Sequence, residues 1–167
     1  MRLAGEIGDE IKVGGSANPA MIAVARERLR RGIDRASRPA DAVGVVLGAV
    51  TVVDRDGDAA RRHARREVAM YLDVIAALDP TVTLPEGLLP SIRARLADGD
   101  DEGAGRLIPR DVLDLFAFSG TPDDIATQAH RLIDAGVNRI EFGTPHGIDS
   151  AEGISLLGRE VLPQLEG

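Results

Sequence analysis

Two glycine-bracketed loops carry the residue types in this chain best suited to hold a small molecule. One is Gly14-Gly-Ser-Ala-Asn-Pro, whose candidate contacts are Gly14, Gly15, Ser16, Ala17 and Asn18; the other is Gly143-Thr-Pro-His-Gly, with Thr144, Pro145 and His146. Glycine lets a backbone approach a ligand closely, and free N–H groups at the start of a helix can meet a phosphate or a ring edge. His146 adds a group that titrates near neutral pH and can face an anionic tail. The same residues also make an ordinary tight turn with a helix cap, and a loop histidine also suits a plain surface position. Residue type alone leaves both readings open.

No other set of residues has the spacing of a catalytic device. The chain has no Gly-x-Ser-x-Gly elbow, and Gly14-Gly-Ser-Ala-Asn-Pro lacks the Gly-Lys-Ser/Thr of a Walker loop. With no cysteine, disulfides, thiolate chemistry and cysteine-ligated metals are excluded. His63 and His130 fall on helical patterns away from both loops and read as outer-face residues. Glu6 and Glu10 flank the first strand without an identifiable partner. Asp98-Gly-Asp-Asp-Glu-Gly has calcium-type ligands but not the EF-hand spacing, so no metal is expected. No residue is assigned as general acid, base or nucleophile.

Both loops are entered through the same pattern, about 130 residues apart. A helix stops at a glycine (Gly5, Gly136), a short alternating strand follows (Ile11, Val13; Ile140, Phe142), and a second glycine (Gly14, Gly143) opens the loop. Asn18-Pro19 reads as an N-cap and first helical residue, Ile22, Ala25 and Leu29 mark the buried face, and Gly32 ends that helix. Residues 43–53 form a near-continuous β-branched run, the mark of a strand buried on both faces. After a turn at 54–58, Ala60, Ala64, Val68, Leu72 and Ile75 stripe one long helix. Four arginines on that helix (Arg61, Arg62, Arg65, Arg66) read as a solvated face. Prolines punctuate a small helical insertion at about 79–115, Thr121-Pro-Asp-Asp opens another helix, and a last one covers roughly 150–161.

Alternating helices and strands imply an α/β fold with a parallel sheet, as one domain over 1–167, with strands near 10–14, 43–52 and 138–143. A complete (β/α) barrel takes eight strands and about 250 residues, more than this chain offers. A net charge of −7 without a dedicated basic patch argues against nucleic acid. No apolar run approaches the ~20 residues of a membrane span, and the N-terminus lacks a signal-peptide pattern, so a cytoplasmic location is expected.

Six stretches, nearly end to end, carry a family resemblance: Leu3-Ala-Gly-Glu-Ile-Gly-Asp, Gly15-Ser-Ala-Asn-Pro, Gly48-Ala-Val-Thr-Val-Val-Asp, Ala64-Arg-Arg-Glu-Val-Ala-Met-Tyr-Leu, Phe116-Ala-Phe-Ser-Gly-Thr-Pro-Asp-Asp, and Ala135-Gly-Val-Asn-Arg-Ile-Glu-Phe-Gly-Thr-Pro-His-Gly. On them the chain resembles the C-terminal half of the methylenetetrahydromethanopterin reductases, a branch of the bacterial-luciferase-like oxidoreductases. The resemblance implies a partial (β/α)₈ barrel containing strands six to eight. It implies coenzyme F420, a deazaflavin, as cofactor, and hydride transfer to a pterin-bound C1 unit as the intact enzyme's reaction. An FMN-dependent monooxygenase is the alternative within the superfamily. It further implies that the turn holding the cofactor phosphate lies just before Met1. The chain is then an internal start, or a truncated or split product that pairs with itself or with a complementing N-terminal half, or a non-catalytic remnant.

Overall fold

The computed structural model describes residues 1–166. Its elements follow the order α1 (Arg2–Ile7), β1 (Glu10–Gly14), α2 (Ala20–Arg35), β2 (Gly44–Val53), α3 (Gly57–Ala69), α4 (Leu72–Leu78), α5 (Leu88–Ala97), α6 (Asp101–Arg106), α7 (Arg110–Phe116), β3 (Ala117–Gly120), α8 (Pro122–Asp134), β4 (Arg139–Gly147) and α9 (Ser150–Leu156). A π-helical turn, Leu157–Val161, and α10 (Leu162–Leu165) close the chain, so the last helical segment runs past the expected 161.

All strand pairs are parallel and all involve β2. β1 pairs with its first half (Lys12 opposite Val46) and β3 with its second half (Ser119 opposite Val52), while β4 runs along the other edge. The α/β class with a parallel sheet is therefore as read from the sequence. β3, four residues long and fully buried, is a strand the periodicity does not reveal. β4 also exceeds its expected end: it continues through Thr144-Pro-His-Gly after an irregularity between Val50 and Val52 of its partner. Gly143 thus does not open a loop. A proline fits there because β4 is an edge strand and the bulge needs no donor at that point.

Successive strand residues point to opposite faces of the sheet. Ile11, Val13, Val45, Leu47, Ala49, Ile140 and Phe142 pack with α2, α8 and α9 in one core, where the Phe118 and Phe142 rings meet edge-to-face at 5.2 Å. Each large side chain fully buried there contributes roughly 1.5–3 kcal/mol. A second core lies over the far end of β2, where Val52, Ala60, Ala64, Val68 and Leu72 meet α5 to α7. The insertion is thus a packed helical layer. The long helix is broken in two at Tyr71, whose backbone (φ −141°, ψ 9°) leaves the helical range.

Two glycines have other roles than the sequence suggests. Gly136 does cap its helix in the left-handed region at φ 86°, with the Gly136 and Val137 N–H groups donating back to Ile133 and Leu132. Gly5 and Gly32, however, lie inside α1 and α2, where the two helices touch backbone to backbone. A Cβ on Gly32 would stand 2.0 Å from the Arg2 carbonyl oxygen, and one on Gly5 would stand 2.4 Å from that of Leu29. Among the arginines read as solvated, Arg61 is largely covered and pairs with Asp58 and Asp124, and Arg65 donates to the Ile108 carbonyl. No helix among the described residues is long and apolar enough to cross a membrane.

Candidate functional site

The face of the sheet opposite the α2–α8–α9 core is open. It presents Glu10, Lys12 and Gly14 from β1, Val46, Gly48 and Val50 from β2, and Arg139, Glu141 and Gly143 from β4. Two ion pairs, Lys12–Glu141 and Glu10–Arg139, reach over the central strand. Gly44 and Gly48 leave room for them, since a Cβ on Gly48 would lie 3.0 Å from that of Glu141. Exposed pairs of this kind contribute about 0–1 kcal/mol, so their chief effect is to fix where the charges stand.

Beside the Lys12–Glu141 pair lies a groove of about 460 Å³. Its floor consists of small residues (Gly14, Gly48, Ala49 and Gly143), and Tyr71 and Ile75 from the α3–α4 break form a wall. Thr144 stands at the rim. A floor of glycines with the Val50 side chain at its end, beside a ring and a charged pair, suits a planar, partly polar ligand. Burial, and then the Glu67 carboxylate, push the Tyr71 hydroxyl above its ordinary value. At neutral pH it is a hydrogen-bond donor.

Of the residues marked from the sequence, the groove collects Gly14, Gly15 and Thr144. Gly14 is open, with nothing within 4 Å of where its Cβ would stand. Gly15 takes φ 75°, and a Cβ there would meet the Ile75 Cγ2 at 2.7 Å, so this glycine lets α4 close onto the loop. Ser16, Ala17 and Asn18 are buried behind it. Their N–H groups are already engaged: Ser16 donates to the Gly48 carbonyl, Ala17 to that of Leu115, and Asn18 to the Ser16 hydroxyl. The loop therefore offers no cradle of free N–H groups to a phosphate.

Asn18 acts structurally in two directions. Its Oδ1 accepts from the Ala20 N–H and so caps α2, as expected, although the helix itself begins at Ala20. Its Nδ2 donates at 2.8 Å to both Asp79 Oδ2 and Thr81 Oγ1. The Asp79 carboxylate is itself buried and accepts from the Thr81 N–H and hydroxyl. This network ties the segment after α4 to the β1–α2 loop, and with it the wall that carries Tyr71 and Ile75.

Pro145 and His146 lie in the last turn of β4, outside the groove. The Thr144–Pro145 bond is cis, the Pro145 carbonyl accepts from the Ser150 hydroxyl, and His146 takes φ 76° opposite Val52. His146 Nδ1 is buried without a hydrogen-bond partner among the described residues. His63 is partly buried with Glu67 at 3.6 Å, and His130 is exposed. Glu6 faces Arg2 and Arg35, away from the groove. Among the described residues no cluster of three His, Cys, Asp or Glu side chains is placed to hold a metal.

Tyr71 and Glu141 fall within two of the stretches that carry the resemblance and Ile75 within the apolar helix stripe, but nothing in their type or spacing, or in that of Lys12, marks them as groove residues. The available signal is Gly48 inside an apolar strand run and Gly143 inside β4, since a glycine within a strand marks a close approach of something to the backbone.

The model of the family described as luciferase-like monooxygenase matches residues 1–139. The 5,10-methylenetetrahydromethanopterin reductase of Archaeoglobus fulgidus is 34% identical over 174 residues, covering 99% of this chain and 51% of that protein. The same-named protein of Methanopyrus kandleri is 29% identical and is covered to 48%. The solved structure of the coenzyme F420-dependent tetrahydromethanopterin reductase from Methanopyrus kandleri superposes over 99% of this chain and 48% of its own length, with TM-score 0.80 and 26% identity. An F420-dependent secondary alcohol dehydrogenase, at TM-score 0.68 and 21% identity, shares the fold. The chain spans about half the length of the curated relatives it matches. It belongs to the luciferase-like monooxygenase family.

Proposed function

We propose that this chain is the C-terminal half, strands six to eight, of an F420-dependent oxidoreductase barrel of the methylenetetrahydromethanopterin reductase type. β1, β2 and β4 are those three strands and the chain forms one domain. The observation that carries the proposal is the groove of small residues on the open sheet face, walled by Tyr71 and Ile75. In the whole enzyme the reaction is hydride transfer between the deazaflavin and a pterin-bound C1 unit.

The residues present fit the flat ring of such a cofactor. Gly48, Ala49 and Gly143 let it lie against backbone, Lys12 and Glu141 offer a donor and an acceptor at its edge, and the Tyr71 hydroxyl donates at neutral pH. Tyr71 and Ile75 cover one side and exclude water there, which strengthens every polar contact inside. When bound, the deazaflavin supplies the hydride chemistry, and the protein contributes orientation and polarity. Thr144 is a rim contact. Ser16, Ala17, Asn18, Pro145 and His146 hold the floor and rim in shape.

The open face and the free outer edges of β1 and β4 support a complementing N-terminal half, or a second copy, as partner. Unpaired strand edges recruit other strands. Exposed apolar residues on α1 (Leu3, Ile7) and around α4 (Met70, Val74, Leu78) add surface for the same contact.

Titrating the purified chain with coenzyme F420 and with FMN, each followed by its own fluorescence, tests the reading. Saturable micromolar binding of F420 and not FMN is expected. Preferential FMN binding would move the chain to the monooxygenase side of the family. Binding of neither would make it a non-catalytic half-barrel by itself.

A further inference from the structure

Arg55, Arg93, Arg95, Arg110 and Arg139 each meet a carboxylate. α3 departs from that pattern. Of its four arginines only Arg61 has such partners, Asp58 and Asp124, while Arg62, Arg65 and Arg66 form no ion pair among the described residues. Arg62 and Arg65 are three positions apart and so share one face of α3. With Glu102 and Arg106 of α6, and with Ile108 and Pro109, they line a cavity of about 330 Å³. It shares no residue with the ring groove.

The cavity is held by packing. α6 approaches α3 so closely that a Cβ on Gly105 would stand 3.0 Å from the Arg66 nitrogen and 3.1 Å from the Arg65 carbonyl carbon. That contact sets the next residue, Arg106, beside Arg62 and Arg65. The Arg65 Nε–H donates at 2.9 Å to the carbonyl of Ile108, which anchors the half-buried guanidinium by one donor. Its remaining N–H donors have no protein partner among the described residues. Burial, and then the Arg110 and Arg61 charges, push this guanidinium below its ordinary value, yet an arginine stays charged in a protein. Arg110 and Arg61 already hold Asp114, Asp58 and Asp124, so those carboxylates are taken. Within the lining the single carboxylate, Glu102, lies 3.5 Å from Arg106, and both are exposed. Three guanidinium groups thus face one acid, in a protein with 27 Asp and Glu against 20 Lys and Arg.

We propose that the Arg62–Arg65–Arg106 cavity binds a small molecule through a diphosphate-type oxyanion. Guanidinium groups grip phosphate oxygens with paired N–H donors, and an anion here supplies the counter-charge that a partly buried, unpaired Arg65 lacks. The surplus of positive charge in the lining calls for more than one negative charge on the ligand. Ile108 and Pro109 offer no aromatic face, so the charge is what the site recognises, and the rest of the molecule lies outside. The proposal stands apart from the deazaflavin reading, and neither depends on the other.

The test uses pyrophosphate as probe and sulfate, a single tetrahedral dianion, as its comparison, at constant ionic strength because screening alters both. Titration calorimetry measures affinity for the 167-residue chain, for Arg62→Gln/Arg106→Gln, and for Arg131→Gln/Arg159→Gln, which removes the same charge from two other exposed positions. Circular dichroism verifies that both variants are folded. Expected is one saturable site for pyrophosphate, at least about tenfold tighter than for sulfate. Arg62→Gln/Arg106→Gln weakens it at least about tenfold, whereas Arg131→Gln/Arg159→Gln leaves it unchanged. In the isotopically labelled wild type, the Arg65 Nε–H resonance shifts with the same midpoint. No saturable binding of pyrophosphate below about 10 mM overturns the proposal. Equal weakening in the two double variants overturns it too, by showing attraction to charge in general, and so does an Arg65 resonance that stays in place while pyrophosphate binds.

Discussion

Replacing Gly32 by alanine adds one methyl group at the tightest helix crossing in the molecule. The new Cβ would stand 2.0 Å from the Arg2 carbonyl oxygen and 3.0 Å from the Glu6 nitrogen, while ordinary contact begins at 3.4 Å. Both obstacles are backbone, so neither can rotate aside. α1 must lift by about 1.4 Å, which loosens its seat on Leu29 and Ile33, both buried in the main core. Overpacking of this kind costs about 1–3 kcal/mol, and alanine's better helix propensity returns up to about 1. The net loss is about 1–2 kcal/mol, or a urea midpoint lower by roughly 0.5–1 M at the slopes usual for small domains. Gly158→Ala is the control: that glycine is exposed, helical and free of neighbours within 4 Å, so its midpoint holds or rises. Chemical denaturation followed by circular dichroism reads both. If Gly32→Ala were as stable as Gly158→Ala, the close crossing of α1 and α2 would be refuted.

Three further outcomes follow from the site and its supports. Gly14→Leu projects a side chain into open groove, so F420 affinity falls at least about tenfold while stability changes by less than about 0.5 kcal/mol; undiminished F420 binding by the Gly14→Leu variant would exclude the groove as the ring site. Tyr71 is the single tyrosine in a chain without tryptophan, so ultraviolet absorbance reads its ionisation directly, and its midpoint lies well above the ordinary value of about 10 because burial and Glu67 oppose the phenolate. A midpoint near 10 would show Tyr71 to be in open solvent. The third outcome concerns Asp124. Burial alone would raise its carboxyl, but the Thr121 N–H and hydroxyl and the Arg61 guanidinium outweigh burial and hold it below the usual range. A depressed carboxyl stabilises the fold above the unfolded-state value of about 4 and loses that contribution as pH falls through the folded-state value. Asp124→Asn therefore flattens the loss of stability below about pH 4, and an unaltered acid limb would contradict the pairing.

The parts of the fold legible in the sequence are those set by local chemistry. The β-branched run of β2, the Thr121-Pro122 helix start and the left-handed Gly136 each follow from what a few adjacent residues can do. Gly5 and Gly32 resist that reading because a glycine at a helix end and one at a helix crossing look alike until the second helix is in place. β3 escapes because four residues, Ala117–Gly120, are too few to show a period, and β4 outruns its expected end because Gly143 reads as the opening of a polar loop. Of the residues that line the groove, Gly14, Gly15 and Thr144 are marked in the sequence by glycine and turn chemistry. Tyr71 and Ile75 are not, since they reach the sheet only through the break between α3 and α4. Lys12 and Glu141 matter because the register sets them over Gly48, which no local pattern encodes.

The most direct test of the deazaflavin site is amide chemical-shift mapping of the isotopically labelled chain as F420 is added. The account predicts shifts concentrated at Gly14, Gly15, Gly48, Ala49, Gly143 and Thr144. Saturable shifts confined to other surfaces, with the groove amides unmoved, would contradict it.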